Sequence, residues 1–132
     1  MGQIHKAGAL IFRDKKLLIV KPKEKTYFIS PGGKYGPGES AEDCLKRELK
    51  EELSVDLATF NHYKTYDIKK AAHSDDTLLL EFYIVEVLGH LKPCLEIECL
   101  EWLSRADFFN KKFNLAPSYD ICVPDFIEDG LL

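Results

Sequence analysis

The sequence has no apolar run of membrane-spanning length, no low-complexity tract and no secretory hydrophobic segment near its start. Those absences argue against a membrane span or export, and the expected location is the cytoplasm. Four cysteines, Cys44, Cys94, Cys99 and Cys122, make no CxxC pair and stand at no zinc-like spacing from a histidine. Reduced thiols used as small apolar residues are therefore expected, in preference to a disulfide framework or a zinc site. Lys6 occupies the position where an N-myristoylation signal beginning Met1-Gly2 needs Ser or Thr, which argues against that anchor. Positive charge is not in excess either: 18 Lys and Arg against 22 Asp and Glu leave a formal net charge of −4 and a pI near 5.6. Such a balance gives no general attraction to nucleic acid or to an anionic membrane, so neither partner is expected.

With 132 residues, 45% hydrophobic and 30% charged, the chain has material for one soluble domain, residues 1–132, and no room for a second. The informative stretch is Gly33 to Val55, GKYGPGESAEDCLKRELKEELSV. A glycine- and proline-rich loop, PGGKYGPGES, runs into a helix that begins at Ser40, where the hydroxyl can accept from free amides and Asp43 stands three residues on. Ala41, Cys44, Leu45, Leu49 and Leu53 repeat at three- and four-residue steps and form one apolar stripe.

At about 100° per residue, Glu48 and Glu52 project into the inward arc of that helix, and Glu51 lies at its border. Glu42, Asp43, Lys46 and Lys50 take the solvent side. The plain alternative is a solvated acidic face with lysine and arginine partners, and it accounts for Glu42 with Lys46 and Asp43 with Arg47. It leaves Glu48 and Glu52 unexplained, because a carboxylate on an apolar arc must be paired, protonated or bound to a cation. A hard divalent ion takes oxygen ligands and, for magnesium, completes its shell with water and substrate phosphate oxygens. A phosphate ester or anhydride is the partner this chemistry suggests.

Gly33, five residues, Glu39, seven residues, then Arg47-Glu48-Leu49-Lys50-Glu51-Glu52-Leu53-Ser54-Val55 resembles the Nudix box of the Nudix hydrolases over its whole length. One position departs, Ser54, where that family usually has glycine; the departure implies a strained helix exit rather than a lost activity. The resemblance implies an α+β fold, an α/β/α sandwich around a mixed β-sheet. It implies Glu48, Glu51 and Glu52 as ligands of Mg2+ or Mn2+, with Glu51 and Glu52 first and Glu48 as ligand or proton acceptor. Arg47 corresponds to the arginine that orients these acids, Glu39 to the earlier box glutamate that pairs with it, and Gly32 and Gly33 to the loop that approaches the helix closely. Substrate contacts are implied for Gly33, Lys34 and Lys21. An acid ahead of the Glu101-Trp102-Leu103 strand reaches the metal site in many members; Glu98 is placed ahead of Glu96 for that role and as a candidate base. Homodimers are common among members.

The rest of the chain supplies strands. Ile4 to Phe12 and Leu17 to Val20 read as a hairpin, Tyr27 to Ile29 as a short strand, Val55 to Leu57 and Asn61 to Ile68 as two further strands, and TLLLEFYIVEVL, Thr77 to Leu88, as the central one. Glu81 within it is either a solvated edge residue or part of the site. Trp102 reads as a core anchor. A last helix is expected to be capped at Ser118, with Ile121 and Phe126 inward and a kink or restart at Pro124. The functional expectation is hydrolysis of a small-molecule nucleotide, a nucleoside diphosphate linked to another group, with a non-catalytic nucleotide-binding module as the alternative. Ala71, Ala72 and His73 stand where some subfamilies carry a marker proline or tyrosine; neither is present, which favours a nucleoside triphosphate or small conjugate.

Overall fold

Alternation and burial in one strand, Thr77–Leu88, explain the layering. In the computed structural model, which describes residues 2–69 and 76–132, the chain forms β1 (Gln3–Leu10), β2 (Phe12–Arg13), β3 (Lys16–Pro22), β4 (Gly32–Lys34), α1 (Ala41–Leu53), β5 (Asp56–Ile68), β6 (Thr77–Leu88), β7 (Ile97–Leu103), α2 (Arg105–Phe109) and α3 (Tyr119–Glu128). The expected connection around Ala71, Ala72 and His73 lies outside the described residues. β6 is apolar on both faces because it is central: β1 runs parallel to it, β5 antiparallel, and β4 completes the order β4-β1-β6-β5. A smaller antiparallel sheet has the order β2-β3-β7.

Each face of the larger sheet packs a helix. On one side Ala7, Ala9 and Val85 meet Cys44, Leu45, Leu49 and Leu53 of α1. On the other, Leu10, Leu78, Leu80 and Phe82 meet Tyr119, Cys122, Val123 and Phe126 of α3. This is the expected α/β/α sandwich around a mixed sheet. Trp102 packs against the α1-side core, with Arg13 stacked 5.6 Å from its ring centroid, as an anchor of β7. All four cysteines are free. Among the described residues no helix is long and apolar enough to cross a membrane.

Three local expectations change. The first strand does not pair with the second: β1 stays in the larger sheet, and only Phe12–Arg13 folds back on Lys16–Leu17 in the smaller one. Asp14 and Lys15, with φ of 52° and 62°, make the turn without glycine. Ile4–Phe12 carries no turn residue near Ile11 to mark where the chain changes sheets. Second, the strands at Val55–Leu57 and Asn61–Ile68 are one, β5, whose broken alternation is absorbed by bulges at Leu57/Thr59 and His62/Lys64. Third, Ser118 precedes α3 but its hydroxyl caps nothing, and the helix passes through Pro124 without ending. Ile121 is 53% exposed, whereas Phe126 is fully buried. The inward face is Tyr119, Cys122, Val123 and Phe126, the three- and four-residue spacing that Ile121 does not join.

Ser54 ends α1 in the left-handed region, φ 58° and ψ 37°, with its N–H donating to the Lys50 carbonyl. A side chain in that region costs about 1–2 kcal/mol, partly offset in glycine by greater freedom of the unfolded chain. Ser54→Gly is therefore expected to stabilise the protein by about 0.5–1 kcal/mol, read as a higher urea midpoint at an unchanged slope.

Candidate active site

The site forms where β4, an edge strand, crosses the middle of α1. Ser40 accepts from the Asp43 N–H at 3.1 Å and fixes the start of the helix. From there the helical repeat aims Glu48 and Glu52 at the glycine strand. Gly33 carries no side chain at the point where a Cβ would stand 2.5 Å from the Glu48 carboxyl carbon. Gly32, at φ 138°, lies so close to β1 that a Cβ would fall 2.2 Å from the Ala7 carbonyl oxygen. Its N–H donates to Glu52 Oε1 at 3.0 Å. Gly33 thus lies close against the helix, whereas the tight contact that excludes a side chain at Gly32 is with β1.

Arg47 organises the acids. Its Nε and Nη2 donate to the two Glu39 oxygens, each at 2.8 Å, Nη1 donates to Glu48 at 2.7 Å, and Nη2 also reaches the Lys34 carbonyl at 3.1 Å. Glu51 stands farther off, 3.6 Å from Nη1, and is 46% exposed. Glu39, which also accepts from the Gly36 N–H, is held down to about 2 by the Arg47 hydrogen bonds. Burial pushes Glu48 above the usual carboxylate range, against the pull of Arg47. Glu52 is driven further, to about 8, mainly by burial, with the Gly32 N–H opposing and Glu48 and Glu51 adding repulsion.

Beside these acids opens a cavity of about 540 Å³. Ile4, Tyr27, Ile29, Leu78, Leu80 and Ala116 give it apolar walls; Gly32, Gly33, Lys34 and Glu52 form the side next to α1; Lys6, Lys25, Ser30 and Tyr119 also line it. The Ser30 hydroxyl is buried and has no hydrogen-bond partner among the described residues, although its N–H donates to the Tyr119 hydroxyl at 2.7 Å. Lys21 and Glu98 are brought together elsewhere: they pair at 3.3 Å, Glu98 is 53% exposed, and neither lines the cavity. Glu96 gives its carbonyl to the Lys23 N–H.

Glu81 stands on the central strand, β6. It accepts from the Tyr35 hydroxyl at 2.6 Å and lies 2.7 Å from His5 Nε2, so it ties the glycine loop to the central strand. Sequence reasoning left Glu81 open between a solvated edge and the site, and passed over Lys6 and Ser30. Lys6 follows the alternation of β1, with Ile4 and Gly8 on the cavity side, a signal visible only once that face is known to line a ligand site.

The donor set fits a hard divalent ion in kind. Glu48, Glu51 and Glu52 offer carboxylate oxygens, and no ion pair neutralises Glu52 among the described residues. Among those residues no three acidic, histidine or cysteine side chains are already gathered as a metal shell. A magnesium-like ion needs only one or two carboxylates, the remainder coming from water and substrate.

An α/β/α sandwich that presents an acidic helix face across a glycine strand is the arrangement that the resemblance of the Gly33–Val55 stretch implies. Residues 4–126 match the family model of the NUDIX domain, and the chain belongs to the Nudix hydrolase family. It is similar in structure to the ORF135 protein of E. coli, at 28% identity and a TM-score of 0.70, with 89% of this chain and 83% of that one covered. It is also similar to MutT studied from Aliivibrio salmonicida and Vibrio cholerae, at 24% identity and a TM-score of 0.77 over 96% and 98%, a likeness of fold. In sequence it is 33% identical over 94 residues to the mRNA-decapping protein OPG121 of Variola virus. That match takes in 71% of this chain and 41% of the relative, so the chain spans less than half the length of the curated relatives it matches.

Proposed function

We propose that the protein hydrolyses a pyrophosphate bond in a nucleoside diphosphate linked to another group, with a nucleoside triphosphate or small nucleotide conjugate as the favoured substrate and Mg2+ or Mn2+ as cofactor. The observation that carries this reading is the placement of Glu52, lining the cavity and hydrogen-bonded to Gly32, with Glu48 one turn away against Gly33. Glu51 and Glu52 are the first-choice ligands, and Glu48 serves as ligand or base. A bound divalent ion supplies Lewis acidity toward the phosphate oxygens and lowers the pKa of water.

Water attacks a phosphorus of the pyrophosphate and the bond to the bridging oxygen breaks. The released proton passes to a carboxylate. Glu48 is favoured, since burial raises its proton affinity above that of an ordinary carboxylate and Glu98 is turned to Lys21. Arg47 holds Glu48 and Glu39 in register throughout. The apolar walls of the cavity suit a nucleoside, and Gly33 and Lys34 stand at its phosphate end.

The likeness to viral mRNA-decapping proteins favours one second reading, hydrolysis at a capped RNA end, which is also a nucleoside diphosphate linked to another group. A single screen separates the two. Phosphate, pyrophosphate and nucleotide release are measured against nucleoside triphosphates, nucleotide sugars, dinucleoside polyphosphates and a cap dinucleotide, with Mg2+, with Mn2+ and with chelator. The expected result is release that requires metal and is strongest with a nucleoside triphosphate or small conjugate. Preference for the cap compound would establish the second reading, and no release from any compound would remove both.

A further inference from the structure

We propose that Lys6, one of three lysines lining the cavity, is a binding residue for the phosphate nearest the nucleoside and separates a nucleotide from an uncharged nucleoside. The proposal rests on the hydrolase reading of the same cavity. Lys6 lies on β1 opposite Lys34 in the β1–β4 register, beside the Gly32–Gly33 strand that bounds the catalytic side. It is partly buried, and no hydrogen bond or ion pair engages its ammonium among the described residues.

The surroundings make that ammonium costly without a ligand. Burial lowers its proton affinity, and Lys34 and Lys25, which line the same cavity, lower it further. The nearby carboxylates Glu52 and Glu48 only partly compensate: Glu48 is bonded to Arg47, and Glu52 accepts from the Gly32 N–H. Three lysines thus face one cavity, and no hydrogen bond or ion pair among the described residues joins Lys6 to its acids. A second, separate observation is the buried Ser30 hydroxyl without a partner in the same cavity. Groups of this kind call for a polar ligand that supplies acceptors. A phosphate monoanion or dianion meets the requirement, accepting from Lys6 while Lys34 and Lys25 supply longer-range attraction.

Adenosine, AMP, guanosine and GMP, titrated calorimetrically in chelator, serve as probes. Wild-type protein is expected to bind each monophosphate at least about tenfold more tightly than its nucleoside, the value of one charge-assisted hydrogen bond. Lys6→Met, which keeps the length and packing of the side chain, should erase most of that difference and leave nucleoside affinity unchanged. Lys6→Arg should restore it. A wild-type protein that does not prefer the monophosphate, or a Lys6→Met variant that keeps the preference, overturns the proposal. So does equal loss of nucleoside and nucleotide binding, which would mark Lys6 as structural. Metal-dependent turnover with the preference absent would sink the role of Lys6 and leave the hydrolase reading intact. The preference without turnover on any compound would uphold Lys6 and remove the reaction.

Discussion

Glu52→Gln should lower metal-dependent turnover by on the order of 10³-fold while raising the stability of the metal-free protein. The two effects share one cause. Burial holds the Glu52 carboxyl at about 8 in the folded chain, against an ordinary value of 4.5. Between those pH values the folded protein keeps a proton that the unfolded chain has released, so stability falls as pH rises through the window. Glutamine carries no charge to desolvate, and its amide oxygen still accepts from the Gly32 N–H. In chelator, Glu52→Gln should exceed wild type by on the order of 2 kcal/mol near pH 8, a margin that closes toward pH 5. Manganese should reverse the order, since an ion that binds only the folded state adds about 2.7 kcal/mol at a hundred times its dissociation constant. Urea unfolding at pH 5, 7 and 8.5, with and without Mn2+, reads all three outcomes. Parallel pH profiles for the two proteins would show that Glu52 is solvated, and a variant that turns over normally would remove the helix face from the chemistry.

Legibility in the sequence followed the spacing that each feature obeys. The acidic helix was readable because a 3.6-residue period puts Glu48 and Glu52 on its inward arc, while the pairing of Arg47 with Glu39 was implied by the resemblance of the stretch to the Nudix box. Ser54 was readable as a strained helix exit because it stands where the resembling family usually has glycine. The sheet order was not. Nothing local to Ile4–Phe12 distinguishes pairing with the following strand from pairing with Thr77–Leu88, because the choice is made by contacts some seventy residues apart. α3 shows the reverse limit. Ile121 and Phe126 are equally apolar, and only the position of β5 and β6 beneath the helix decides which is covered. The residues that escaped, Lys6 and Ser30, matter only because they face a cavity assembled from segments far apart in the chain, whereas Glu81 was left open between a solvated edge and the site. Lys21 and Glu98 carry the opposite lesson: a plausible position in sequence brought them to each other, outside the lining of that cavity.

The two neighbouring glycines are expected to fail in different ways when each receives one methyl group. At Gly32 the added carbon meets backbone, 2.2 Å from the Ala7 carbonyl oxygen, at a φ of 138° that side chains rarely adopt. Gly32→Ala should cost several kcal/mol, in the range of about 3 or more, through strain and a broken β1–β4 pairing. At Gly33 no positive φ is involved, and the added carbon meets the movable end of Glu48, 2.5 Å away. Gly33→Ala should therefore fold, with a loss of about 1 kcal/mol, while its kcat falls by about 10²-fold because Glu48 is displaced from its bond to Arg47. Shortening the acid tests the assignment: in Gly33→Ala with Glu48→Asp, the carboxylate withdraws from the new methyl group, and part of the lost rate should return. A double mutant no faster than the product of its single losses would mean that the two positions are uncoupled. Glycine at position 33 would then be there for the strand, and Glu48 would not be held where the chemistry needs it.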